Sequence, residues 1–283
     1  VKGHTAHAAR LGLERGLREF RHTLLSADQT FNLFVMVAFV VVLVLQRDST
    51  VEGTALSLAA VTMPSSLGMI VAFNGLVGPA GQLAVNREDG TLLRAKAVPG
   101  GVVGYLVGRI TQVSLDALIS ATCVLVSGLI VVSGLLGGTN WPLLAAVFVA
   151  GLLATMPWGA VVGSLTRSPQ GAMGLTMLPM MGLTAISGIF YPIYGMPQWV
   201  QGVAQVFPVY WVGLGTRSAM LPDEAAAAEI GGSWRHLETF GVLGVWALLG
   251  FLLAPTILRR MARRESGADM EQRRQAALQR GSV

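Results

Sequence analysis

The sequence predicts an all-α membrane protein: six transmembrane helices, an N-terminal amphipathic interfacial helix, and an extracellular helical hairpin before the last span. Three observations carry that prediction. Of 283 residues, 53% are hydrophobic and 12% charged, about half the roughly 25% charged content of a soluble domain. Long apolar runs alternate with short polar segments. The cations gather where the runs end. With a cytoplasmic N-terminus, seventeen of the twenty Lys and Arg fall on the cytoplasmic side and only Arg47, Arg217 and Arg235 outside, the bias that orients membrane proteins. The same distribution makes the pI near 10.0 a matter of orientation and not of nucleic-acid binding. One cysteine, Cys123, excludes an internal disulfide or a cysteine metal cluster. No signal peptide is expected, because the N-terminal residues are polar and amphipathic, and no internal repeat is evident.

Residues 1–29 form the cytoplasmic N-terminus. Within it, 8–25 read as a helix: Leu13, Leu17, Phe20 and Leu24 recur at helical spacing, while Arg10, Glu14, Arg18, Arg21 and His22 take other faces. Such a helix lies in the headgroup layer with its arginines toward anionic lipid; packing on a soluble partner is the alternative. Residues 30–46 are the first span, short for a hydrocarbon core that needs about 20 residues. Residues 55–85 are the second, with Pro64 and Pro79 as kink sites and Asn74 as its strongly polar mid-run residue.

Residues 100–136 are the third span. Gly100, Gly104 and Gly108 are four apart, a small-residue stripe that lets helices approach closely. Arg109 reads as a cation at the water interface, with Asp116 two turns along pairing or snorkelling nearby. Residues 137–140 make a tight turn, and 141–165 the fourth span, again with glycines four apart at Gly159 and Gly163. After a loop at 166–170, residues 171–190 are the fifth span. Its Met173, Met177, Met181 and Thr184 share a face that fits an adaptable ligand surface or a packed core, with core packing favoured. Residues 191–236 are rich in Tyr, Trp and Pro, which is interfacial chemistry. They read as two short helices, near 198–206 and 209–220, dipping partway into the membrane, then a polar loop at 222–233. Residues 237–258 are the sixth span and 259–283 a charged cytoplasmic tail.

The charged island at 86–99, between the second and third spans, is the most distinctive stretch. Its charges and loop backbone cannot sit in hydrocarbon, so it lies at a water face. Arg87 to Gly90 read as a turn. A short helix follows from Thr91, which can cap it, and Pro99 stops it. Leu92 and Ala95 offer a small apolar face between Arg94 and Lys96. The segment is either an ordinary loop or a handle for another protein.

Catalytic chemistry is hard to find. There is no GxSxG, no HExxH and no carboxylate cluster within the spans, and no metal site is expected at His4 with His7. Neither Lys2 nor Lys96 can belong to a GxxxxGK[ST] phosphate loop, so the chain does not hydrolyse ATP through such a loop of its own.

The order of parts resembles the permease subunit of type-2 ABC exporters, the family of the daunorubicin-resistance, O-antigen and teichoic-acid transporters. The resemblance covers almost the whole chain and is most specific at Arg87-Glu88-Asp89-Gly90-Thr91-Leu92, which resembles the family's coupling helix. Leu93 stands where members often carry an acidic residue. The resemblance implies a non-catalytic transport subunit in the bacterial plasma membrane, with both termini cytoplasmic. It implies that Arg87, Glu88, Asp89, Gly90, Thr91, Leu92, Leu93 and Arg94 contact an ABC ATPase. It also implies two copies of that ATPase, which bind the ATP and Mg, a second permease, identical or paralogous, and membrane lipid around the assembly. No cofactor, metal or nucleic acid is expected on this chain. The cargo would be lipophilic or lipid-linked, and Asn74 with the face of Met173, Met177, Met181 and Thr184 would be candidates to line its path. A secondary carrier would call for an inverted repeat and paired intramembrane ionisable residues, and a membrane enzyme for a catalytic pair within the spans; neither feature is evident.

Overall fold

The computed structural model describes residues 2–23, 27–50, 57–88, 90–96, 98, 101–132, 134, 137–166, 168–190 and 193–264. Ten α-helices occur among them: α1 (Lys2–Thr23), α2 (Ala27–Gln46), α3 (Leu58–Glu88), α4 (Thr91–Lys96), α5 (Gly101–Val131), α6 (Trp141–Leu165), α7 (Pro169–Ile186), α8 (Gln198–Val206), α9 (Pro208–Met220) and α10 (His236–Arg264). The β pairing described is a single antiparallel bridge between Thr50 and Ser57. Four described stretches are long and apolar enough to cross a bilayer: Leu58–Arg87, Gly104–Val131, Trp141–Leu165 and His236–Leu258. The first and fifth expected spans fall on α2, whose described apolar part is Val37–Gln46, and on α7, whose 18 residues reach about 27 Å at 1.5 Å per residue.

The helix α3 is central and packs against α5, α6, α7 and α9. Its contact with α6 is backbone-close: a Cβ at Gly159 would meet the Leu76 carbonyl, and one at Gly163 the Ala80 carbonyl. The Gly159/Gly163 stripe therefore serves a neighbour within the same chain, by the small-residue packing that works where lipid and side chain are equally apolar. Polar side chains of α3 bond back onto their own helix, Ser65 Oγ to Val61 O and Ser66 Oγ to Thr62 O, both at 2.8 Å. Rows of large apolar side chains face outward on α5, α7 and α10, including Ile130, Leu178, Leu248 and Leu252. A bilayer covers such rows.

The helix α1 begins earlier than the sequence suggested and packs along the first turns of α5. The packed face is Ala8, Gly12 and Gly16, set on Gly104 and Gly108; a Cβ at Gly12 or Gly16 would collide with those backbones. The expected apolar face lies about 100° away. Leu13 and Leu17 are exposed and Phe20 is half-buried, while Leu24 is outside the described residues. Glu14 pairs with both Arg10 and Arg18, and Arg15 with Glu19, exposed pairs worth ~0.3–0.5 kcal/mol each.

The hairpin before α10 is the larger correction. The ends of α8 and α9 fall close to where the sequence put them, and α9 lies deeper among the other helices than its interfacial composition suggested. Every residue of α9 except Ser218 is buried. Tyr210, Trp211, Val212 and Leu214 form the main core with Val71 of α3, Val147 and Leu152 of α6, and Leu243 of α10. Irregular backbone at this depth is tolerated because protein surrounds it. Indole N–H groups fasten the hairpin: Trp211 to Gln205 O at 2.7 Å and Trp246 of α10 to Val206 O at 2.8 Å. Residues 222–233 are the expected polar loop over much of their length, with Asp223, Glu224, Gly231, Gly232 and Ser233 exposed, but they are more ordered and more anchored than a plain loop. They form two 3₁₀ turns, Asp223–Ala228 and Ile230–Gly232, with Ala225, Ala226 and Glu229 buried.

Candidate functional site

The end of α3 is tied to two neighbours. Asn86 Nδ2 donates to the Tyr105 hydroxyl of α5 at 2.9 Å. Arg87 is buried, and its Nη1 donates to the carbonyls of Gly163, Ser164 and Thr166 at 3.4, 2.9 and 2.8 Å. The last carbonyls of a helix lack partners within it and sit at the negative end of its dipole, so a guanidinium suits the C-terminus of α6. Gly90 then reverses the chain at φ +74, a backbone state that glycine adopts without steric cost. The helix α4 begins on Thr91 itself, with Gly90 and not Thr91 in the preceding cap position, and Arg94 N–H donates to Gly90 O at 3.1 Å. Thr91 and Ala95 are half-buried and Arg94 is exposed. The start of α5 lies so close to α4 that a Cβ at Gly101 would strike the Ala95 carbonyl.

The segment is therefore a short platform. It is anchored on α3, α5 and, through Arg87, α6, and it presents Arg94 outward. Its described residues hold the start of α5 and the ends of α3 and α6 close together. Sequence reasoning assigned Arg87 to a partner-facing charge, whereas its side chain is spent inside the fold. Asp89 and Pro99 lie outside the described residues, as do the side chains of Glu88, Leu92 and Leu93.

The residues suggested for a path differ in their surroundings. Asn74 is half-buried and bonds Ile70 O on its own helix at 3.0 Å. Met173, Met177 and Met181 are exposed on α7, against the expectation of core packing. The buried stripe of that helix is Ala172, Thr176, Met180 and Thr184, because α3 meets α7 on the side next to the methionine row. Thr184 alone of the expected face is inside.

One cluster was missed. Arg217, 1% exposed, forms a two-pronged ion pair with Glu229, Nε to Oε1 at 2.5 Å and Nη2 to Oε2 at 3.2 Å. Its Nη1 also donates to Ser65 Oγ of α3 at 3.0 Å and to Gly188 O, after α7, at 3.3 Å. The signal was present in the sequence: a cation inside an apolar helix, with an acid twelve residues on. Charge counting placed Arg217 outside the membrane and asked nothing more of it, although a cation in an apolar segment calls for a named partner.

A family model described as ABC-2 family transporter protein matches residues 30–255, well over half of the chain. No curated protein is matched by the sequence.

Proposed function

Because the chain belongs to the ABC-2 family of transporter membrane proteins, we propose that it is the membrane-spanning permease subunit of an exporter driven by a separate ATPase. The family implies an ATPase partner. In this reading two ATPase copies bind and hydrolyse ATP with Mg, and two permeases, identical or paralogous, enclose the path. A lipophilic small molecule or lipid-linked substrate leaves across a bacterial plasma membrane. The chain crosses six times, with α2 and α7 as first and fifth spans and both termini cytoplasmic.

The observation that carries the coupling role is the platform at α4. A load on it reaches α3, α5 and α6 together, and Arg94 is exposed on it. Nucleotide closure in the ATPase supplies the contacts that differ between two states, which a driven change requires. The test is the permease–ATPase complex in liposomes carrying Glu88→Lys with Gly90→Pro, assayed for ATP hydrolysis and efflux of a lipophilic dye. Both are expected to fall together while the permease stays inserted. A lost contact of ~1–3 kcal/mol corresponds to a drop of about five- to 150-fold. Full coupled activity would place the ATPase grip elsewhere, such as the loop at 166–170.

A further inference from the structure

Where α1 meets α3 and α5, a shallow cleft is lined by Arg15, Glu19, Asn86, Tyr105, Gly108 and Arg109. Its width is set by the contact of Gly16 with Gly108, where no side chain fits. Arg109 has one hydrogen bond, from Nη1 to the neutral Gln112 Oε1 at 2.8 Å, and its Nε is buried with no partner. A guanidinium carries five N–H donors in a fixed fork, so most of this one is unused. Arg15 lies beside it with Nε on Glu19 at 2.6 Å. Glu19 is the acid in the cleft wall, and Asp116 lies two turns further along α5. Two cations against the one lining carboxylate leave the cleft one positive charge in excess.

The depth of the cleft identifies the anion. It sits at the first turns of the apolar stretch Gly104–Val131, and the exposed Leu11, one helical turn before Arg15 on α1, lies on the same side. A basic cleft at the start of an apolar span, with an outward leucine beside it, matches a molecule with an anionic head and an acyl body, and basic pockets between helices at a membrane face hold lipid headgroups. We propose that this cleft binds the phosphate of an anionic phospholipid, with Arg109 as the principal donor and Arg15 and the Tyr105 hydroxyl beside it. The proposal rests on α1 lying in the headgroup layer and is independent of where the ATPase docks.

Lipid retained by the purified permease–ATPase complex, incubated with equal phosphatidylglycerol and phosphatidylcholine and counted by native mass spectrometry, tests it. The wild type is expected to keep phosphatidylglycerol in preference. Arg109→Gln should lose about tenfold of that retention, the scale of one charge-assisted contact, and Arg109→Lys should keep most of it. Glu19→Gln should raise retention, because it removes the competing acid and releases Arg15. If Arg109 served only to hold α1 through Glu19, the same variant would lower retention, so its sign decides even if Arg109→Gln fails to assemble. Undiminished phosphatidylglycerol on an assembled Arg109→Gln complex would overturn the site. Thermal stabilisation of the wild type by inorganic phosphate as strong as that by phosphatidylglycerol would assign the cleft to a free anion and overturn the lipid.

Discussion

Arg87 and Arg217 are both buried arginines that join several helices, and they do so in opposite ways. Arg87 places one nitrogen on three carbonyls at the end of α6. Arg217 clamps both oxygens of Glu229 and adds bonds to Ser65 and Gly188. Bonds to a helix terminus can exchange with water and tolerate rotation, since several carbonyls compete for the same donor. A two-pronged pair inside the protein fixes direction as well as distance, and removing one partner strands the other charge. The fold thus joins its helices loosely beside α4 and rigidly beside the hairpin.

Arg217→Ala should produce the largest effect. Leaving Glu229 buried without its cation costs about 3–5 kcal/mol, enough to remove most folded permease from membranes, as measured by fluorescence-detected size exclusion. Replacing both residues, Arg217→Met with Glu229→Met, should restore much of the folded fraction, because an apolar substitute for a whole buried pair is often neutral. If the single variant folded normally, the rigid half of the contrast would be wrong.

Arg87→Ala comes next. It leaves helix-end carbonyls short of a donor at ~1–3 kcal/mol, so the protein should assemble with a modestly lower Tm. Dye-stimulated ATP hydrolysis should fall more than stability does, since α4 would then move without α6. A Tm loss as large as that of Arg217→Ala would erase the distinction. Arg94→Gln should be mildest: an exposed substitution stays within about ±0.5 kcal/mol in stability. It should weaken capture of the ATPase and flatten the salt dependence of that capture, and unchanged salt dependence would remove Arg94 from the partner-facing surface.

Helix positions were largely legible in the sequence, and helix faces were not. The prolines at 197, 208 and 222 and the aromatic run between them marked α8 and α9 closely, because proline punctuates helices by local geometry. The faces of α1 and α7 were misjudged for a different reason. In water an apolar row points to the core, but in a bilayer lipid satisfies it equally well, so Leu13 with Leu17 and Met173 with Met181 face outward. Small residues carry the packing signal instead. Gly12 and Gly16 have the same spacing as Gly104 and Gly108 and meet them in the fold. The Arg217–Glu229 pair was hidden because twelve residues and a chain reversal separate the two, beyond the reach of any periodicity. Arg87 was misread because its partners are backbone carbonyls, which no side-chain pattern displays.

The burial of α9 also bears on the order in which the protein is built. Chains emerge from their N-terminus, so α3 and α6 are made before the helix that fills the space between them. The last wall of that space is α10, whose Leu243 joins the same core and whose Trp246 indole holds the hairpin at Val206. The centre of the molecule is consequently among the last parts to close, and it closes only when the final helix has been delivered.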